Sequence, residues 1–379
     1  ASAVTDAVRV FEARVSAETP TGPQLAEVNE NAPVVQVVTM ILAQAVRDRA
    51  SDVHIEPMGD RVHVRNRVDG ALHEVLSLPQ SMARALVSRI KIMADMNIVE
   101  RRRPQDGQIE TVIDGAALDI RVSTTSTVHG EKTVLRLLDK SRALYDVATL
   151  GMPEDTAALY REIIRSPYGM VVCAGPTGSG KTTTLYASLM AINSDEINVM
   201  TVEDPVEYTF PTINQIGIHE QAGVTFAAGL RSILRQDPDA ILVGEIRDVE
   251  TARIAIQAAL TGHFVLSTIH ATDAVSALHR FLDMGIESFL LASSMLAVVG
   301  QRLIRRSCAE CLAPYEPTVE DLAFYERAGG KVREVFHKGH GCSVCSGTGY
   351  IGRIGVYEVL RVTDEMRELI VRNASVDDI

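Results

Sequence analysis

Eight consecutive residues, Gly175-Pro176-Thr177-Gly178-Ser179-Gly180-Lys181-Thr182, fit the pattern G-x-x-x-x-G-K-[ST], and Thr183 extends the same polar run. Glycines let backbone amides turn inward around phosphate oxygens. A lysine reaches the β- and γ-phosphates, and the Thr182 hydroxyl is a ligand for Mg²⁺. An apolar run at residues 170–174 precedes the motif, and a helix is expected over residues 181–191, with its positive N-terminal end toward the anion. A glycine-rich turn with no ligand is the competing reading, and the strand–loop–helix context argues against it.

Three more polar clusters follow apolar runs downstream. Residues 240–243 lead into Gly244-Glu245, the place of the second nucleotide-binding motif, where Gly244 replaces the usual aspartate and leaves Glu245 to hold the metal through a water. Glu203-Asp204-Pro205-Val206-Glu207 follows one apolar run, and His270 follows another at residues 264–268. In open α/β sheets ligands bind beyond the carboxyl ends of the strands, so three such clusters beside one phosphate loop form a candidate site. Alone, each reads as a solvated acid or a structural histidine.

Four of the five cysteines stand as two C-x-x-C pairs, Cys308/Cys311 and Cys342/Cys345, with Gly347 and Gly349 after the second. Two such turns close a tetrahedral thiolate shell around a structural Zn²⁺. A redox dithiol or disulfides are the alternatives, and the chain shows no export signal that would favour them. Cys173 lies in the apolar run before the phosphate loop and reads as a small buried apolar residue.

The elements that must position these residues fall into two domains. Residues 1–33 read as a helical or frayed lead-in and a proline-rich linker. Residues 34–140 read as a small α+β domain, beginning with an amphipathic helix over 34–50. Short strands and a helix over about 81–96 follow, then strands at 109–113, 118–123 and 133–138 with a turn at Asp114-Gly115. Residues 141–167 are a linker and first helix. From 168 to 379, continuous apolar strands at 170–174, 197–202, 240–243 and 264–268 alternate with helices, the pattern of a parallel sheet covered on both faces, with a zinc-binding insertion at 306–350. The longest apolar-leaning stretch, residues 288–300, is too short for a membrane span. A net charge of −12, no tryptophan and few aromatics give no reason to expect nucleic acid binding.

Taken in order, these motifs resemble the secretion ATPase superfamily. The resemblance rests on the phosphate loop, Thr201-Val202-Glu203-Asp204-Pro205-Val206-Glu207-Tyr208, Leu242-Val243-Gly244-Glu245-Ile246-Arg247-Asp248 and the run from Gly262-His263 to His270. Upstream, Ser51-Asp52-Val53-His54-Ile55-Glu56-Pro57 and Arg103-Pro104-Gln105-Asp106-Gly107 look like the family's second N-terminal domain. The resemblance spans about residues 33–379, and glycine at position 244 is usual in the family. It implies a homohexamer whose subunits join a PAS-like domain to a RecA-like P-loop ATPase domain, with ATP and Mg²⁺ as cofactors. Glu203 would orient or deprotonate the attacking water, Glu245 would help hold Mg²⁺, and His270 would sense the γ-phosphate. Arg121 and Arg136 would reach the nucleotide from the N-terminal domain, against the alternative that they are strand-surface cations.

The paired C-x-x-C element is typical of the assembly ATPases of type II secretion and type IV pilus extension. The resemblance therefore implies a cytoplasmic motor peripheral to the inner membrane. It would act with an inner-membrane platform protein and a cytoplasmic docking protein, without inserting into the bilayer. A nucleic-acid translocase and a non-hydrolysing nucleotide switch are the rivals, and the acids Glu203 and Glu245 count against the second. The first residue is not methionine, so an excised or processed fragment is expected. It would lack the family's first N-terminal domain and stop within a helix at Ile379.

Overall fold

The computed structural model describes residues 6–11, 13, 33–139, 146–331, 335–375 and 378. The expected lead-in and linker over residues 1–33 lie largely outside them. The chain divides into two compact units, one of residues 1–142 and 342–347 and the other of 143–341 and 348–379.

In the first unit, helix α1 (Pro33–Arg47) buries Val37, Val38, Ile41, Leu42 and Ala45, an apolar stripe at helical spacing. Strands β1 (Asp52–Met58), β2 (Arg61–Val68) and β3 (Ala71–Pro79) follow, then helix α2 (Ala83–Met93) and strands β4 (Gln105–Ile113), β5 (Ala116–Thr127) and β6 (Gly130–Asp139). The six strands form one antiparallel sheet in the order β3-β2-β1-β6-β5-β4. Two of its hairpins turn on Asp69-Gly70 and Asp114-Gly115, both residues of each pair at positive φ, the conformation that a tight two-residue hairpin demands. Alternate strand residues such as Val53, Ile55, Val62, Val64, Ile120 and Val122 meet α1 and α2 in one core. The small α+β domain expected from the sequence is present, with strands β4–β6 longer than the apolar alternation alone marked.

The second unit opens with α3 (Glu154–Ile164) and β7 (Gly169–Ala174). Helix α4 (Lys181–Ile192), β8 (Val199–Glu203), β9 (Asn214–Gly217), α5 (Phe226–Ile233), β10 (Ala240–Val243), α6 (Val249–Leu260) and β11 (Phe264–Ile269) then alternate. Helices α7 (Ala274–Asp283) and α8 (Ser288–Ser294) lead to the long β12 (Met295–Ser307). Strands β13 (Leu312–Tyr315) and β14 (Phe336–Gly339), with α9 (Val319–Arg327) between them, interrupt the return through β15 (Tyr350–Arg361), and α10 (Asp364–Val371) follows.

The main sheet runs β15-β12-β7-β11-β10-β8-β9. All neighbours are parallel except β15, which lies antiparallel on β12. Every residue of β7, β8, β10 and β11 is buried. The faces separate by alternation: Met170, Val172 and Ala174 enter one core, Val171 and Cys173 the other. This is the parallel sheet covered on both sides that the continuous apolar runs imply.

The stretch 288–300 changes from helix to strand at Met295, because its apolar residues fit either period. Helix α10 ends at Val371, and Asn373 takes φ 51°, the left-handed conformation that closes a helix C-terminus; the expected stop at Ile379 lies outside the described residues. Among the described residues no helix is long and apolar enough to cross a membrane.

Candidate nucleotide and metal sites

The strand order decides the site. The phosphate loop follows β7, His270 follows β11, Glu245 follows β10, and Glu203 ends β8, and these four strands are consecutive neighbours. With neighbouring strands about 4.8 Å apart, the tips bearing His270, Glu245 and Glu203 stand about 5, 10 and 14 Å from the tip of β7.

The loop is built by backbone conformation. Gly178 and Gly180 take φ 76° and 89°, and α4 starts directly after Gly180. A Cβ on Gly175 would lie 2.6 Å from the Gln301 carbonyl oxygen, so no larger residue fits there unless β12 moves. The Lys181 ammonium donates to the carbonyls of Gly175 and Pro176 at 2.8 and 3.1 Å. Burial lowers its pKa, and the Glu245 carboxylate partly offsets this. Thr182 and Thr183 are exposed, whereas Ser179 is buried. Cys173, one strand residue behind the loop, is fully buried with its thiol pushed up to about 12, as an inert apolar position should be.

Glu245 is the hub of the second and third tips. Its Oε1 pairs with Arg247 Nη2 at 2.5 Å, and its Oε2 lies 3.6 Å from His270 Nε2. The carboxylate side chain is 14% exposed and the imidazole 54%. The two tips are bound together: Ile246 N–H donates to the Thr268 carbonyl at 2.9 Å, Thr268 Oγ1 to the Gly244 carbonyl at 2.8 Å, and Ser267 Oγ to the Val243 carbonyl at 2.7 Å. The reason for glycine at 244 is also visible. A Cβ there would sit 3.3 Å from Glu203 Cα and 3.3 Å from the Val202 carbonyl, so the neighbouring strand already occupies the place of an aspartate.

Glu203 is differently placed from the other two. It is 3% exposed, and both carboxylate oxygens are engaged. Oε1 accepts from Thr201 Oγ1 at 2.5 Å and Gln215 Nε2 at 3.1 Å, and Oε2 accepts from the Tyr186 hydroxyl. Oε2, with one donor, is the oxygen that can accept a further hydrogen bond from water. Arg121 and Arg136 are cross-strand partners on β5 and β6 and line one open concavity of about 550 Å³ with Asp106, Gln108 and Ser123. Asp52 Oδ1 accepts from Arg136 Nε at 3.1 Å.

The sulfur ligand atoms of Cys308, Cys311, Cys342 and Cys345 all lie within 4.8 Å of one another. Cys342 and Cys345 Sγ are 3.7 Å apart. A tetrahedron with Zn–S bonds of about 2.3 Å has sulfurs about 3.8 Å apart, so this donor set fits zinc. Backbone amides of Gly341 and Cys342 point at Cys311 and Cys345 sulfurs at 3.3 and 3.1 Å, as donors to thiolates do. None of the four is in a disulfide.

The family model described as "Type II/IV secretion system protein" matches residues 27–379. The chain belongs to the type II/IV secretion system protein family. The type II secretion system ATPase E of Vibrio cholerae serotype O1 is 46% identical over 355 residues, covering 93% of this chain and 70% of that protein. The type IV pilus assembly ATPase PilB of Myxococcus xanthus is 46% identical over 363 residues, covering 94% of this chain and 64% of that protein. Among solved structures, the pilus retraction motor PilT with bound ADP matches at TM-score 0.58 and 25% identity, over 89% of this chain and 86% of that one.

Two residues of this secretion-family site escape the sequence reading. Gln301 on β12 is 3% exposed, and its Oε1 accepts from Thr184 Oγ1 at 2.9 Å behind the phosphate loop. Tyr186 on α4 is 1% exposed and reaches Glu203. The signal for Gln301 is one amide directly after the apolar run 295–300. Tyr186 gives no signal beyond an apolar helix position.

Proposed function

We infer that the protein is an ATP-hydrolysing motor that drives assembly of pilin-like subunits in type II secretion or type IV pilus biogenesis. The observation that carries this reading is the row of tips beside the phosphate loop: Lys181 for the phosphates, then His270, Glu245 and Glu203 on successive strands. A protein that only bound nucleotide would need the loop and not the acids.

Each residue has a role in that reading. Residues 175–183 hold the phosphates of ATP. The Thr182 hydroxyl and the Glu245 carboxylate, hard oxygen donors, would hold Mg²⁺, which when bound neutralises phosphate charge. His270 reports on the terminal phosphate through its contact with Glu245. Glu203 orients or deprotonates water through Oε2. Arg121 and Arg136 supply the positive charge that phosphoryl transfer requires as negative charge spreads over the equatorial oxygens. The four cysteines hold a structural Zn²⁺.

At the larger scale, the motor is a homohexamer of PAS-like and RecA-like domains on the cytoplasmic face of the inner membrane. It engages a membrane platform protein and a cytoplasmic docking protein. Glu245→Gln is the direct test: hydrolysis should fall by about 10²-fold or more with ATP affinity retained. Turnover at the wild-type rate in that variant would overturn the assignment of the acid.

A further inference from the structure

We propose that Tyr186 is a positioning residue for ATP hydrolysis, its hydroxyl setting the Glu203 carboxylate and tying it to the helix that begins at the phosphate loop. This rests on the assignment of Glu203 to the water-handling step.

The two oxygens of Glu203 are held from different elements. Oε1 is held from its own edge of the sheet, by Thr201 on β8 and by Gln215 on β9. Oε2 is held from elsewhere, by Tyr186 on α4, five positions after Lys181. The carboxylate therefore has one oxygen fixed by the sheet and one governed by the nucleotide-binding helix. Oε2 accepts from one donor where a carboxylate oxygen takes up to two, so it can meet water while Tyr186 holds it in place.

Tyr186 is itself placed firmly. Its ring stands edge-on to Phe210 at 5.1 Å and to Tyr208 at 6.4 Å, and the Glu207 N–H donates to its hydroxyl at 3.4 Å. One hydroxyl thus links α4, the end of β8 and the segment 204–210. Burial and the neighbouring Glu203 charge push its pKa well up, so the hydroxyl keeps its proton and stays a donor throughout the working range. With Glu203 buried, loss of this donor would leave Oε2 without a partner and the carboxylate free to settle in another orientation.

Tyr186→Phe removes the hydroxyl and keeps the ring against Phe210 and Tyr208. Steady-state ATPase assays on the full chain should show kcat lowered about tenfold or more, the loss of one hydrogen bond to a charged group. KM for ATP and affinity for a fluorescent ATP analogue should stay within about twofold, because Lys181 and the loop are untouched. In a Glu203→Gln background the same substitution should have little further effect on kcat, since the two groups act as one.

The outcomes separate the claims. If Glu203→Gln lowers kcat but Tyr186→Phe does not, or if the tyrosine substitution costs equally in both backgrounds, the inference fails and the Glu203 assignment stands. If Glu203→Gln turns over at the wild-type rate, the Glu203 assignment fails first. Should Tyr186→Phe not fold, fluorotyrosine placed at position 186 of the otherwise unaltered chain gives a second readout. Its ¹⁹F resonance should shift on Glu203→Gln, and an unmoved resonance overturns the proposal.

Discussion

Restoring the aspartate that most P-loop proteins carry in the second motif should harm this protein. In Gly244→Asp, the new Cβ meets Glu203 Cα and the Val202 carbonyl at 3.3 Å and the Phe226 ring at 3.5 Å. Two of these contacts are backbone of β8, which is tied to β10 by the Gly244 N–H to Val202 carbonyl bond at 2.8 Å. Relief therefore requires the tips of two packed strands to part by a few tenths of an ångström. Overpacking of this kind costs about 1–3 kcal/mol. In a unit of roughly 200 residues each kcal/mol lowers Tm by about 2–4 °C, so Gly244→Ala should lower Tm by about 2–12 °C. Gly244→Asp should lose more, because its carboxylate enters beside Glu203, which is 3% exposed, and Glu245, which is 14% exposed. Differential scanning fluorimetry of the three proteins measures both steps, and ATPase rates show whether Glu203 has moved. Gly244→Asp with wild-type Tm and wild-type or higher kcat would refute the steric account of this glycine.

Other expectations follow from the same geometry. Metal analysis of the purified chain should return about one zinc per chain, and Cys345→Ser should lose it and lower Tm; a stable, metal-free wild-type protein refutes the site. Because burial lowers the Lys181 pKa, its ammonium loses its proton at lower pH than an exposed lysine. The alkaline fall of kcat/KM, which reports the free enzyme, should begin below the ordinary lysine range, and a fall confined to that range argues against the buried setting. Arg136→Ala should lower kcat by about 10²-fold or more while the Tm of the first unit changes little, since the side chain is 65% exposed; an unchanged kcat makes it a surface cation.

The legible parts of this molecule were those whose chemistry is local. The phosphate loop needs eight adjacent residues of fixed type, and the cysteine knuckles need two pairs at fixed spacing. Glu245 and His270 could be placed because each follows an apolar strand, and strand tips of a parallel sheet share one rim. That Glu203 is buried with both oxygens engaged could not be read, because two of its three donors, Tyr186 and Gln215, come from distant positions. Gln301 was hidden for a similar reason: its partner, Thr184, is far away in sequence. Strand β9 escaped notice because Asn214–Gly217 is short and only half-buried, leaving no alternation. The passage from α8 into β12 was ambiguous because apolar residues at nearly every position satisfy both periods.

The alignment of four candidate groups on four adjacent strand ends also constrains how this protein can diverge. Within β7, β8, β10 or β11, one inserted or deleted residue would invert which side chains face which core and would carry the group at the tip to the wrong side. Beyond the opposite ends of the strands, and within the excursion between β12 and β15, length can drift without disturbing the rim. Relatives should therefore vary in length in those segments and hold the residue count of the four central strands fixed.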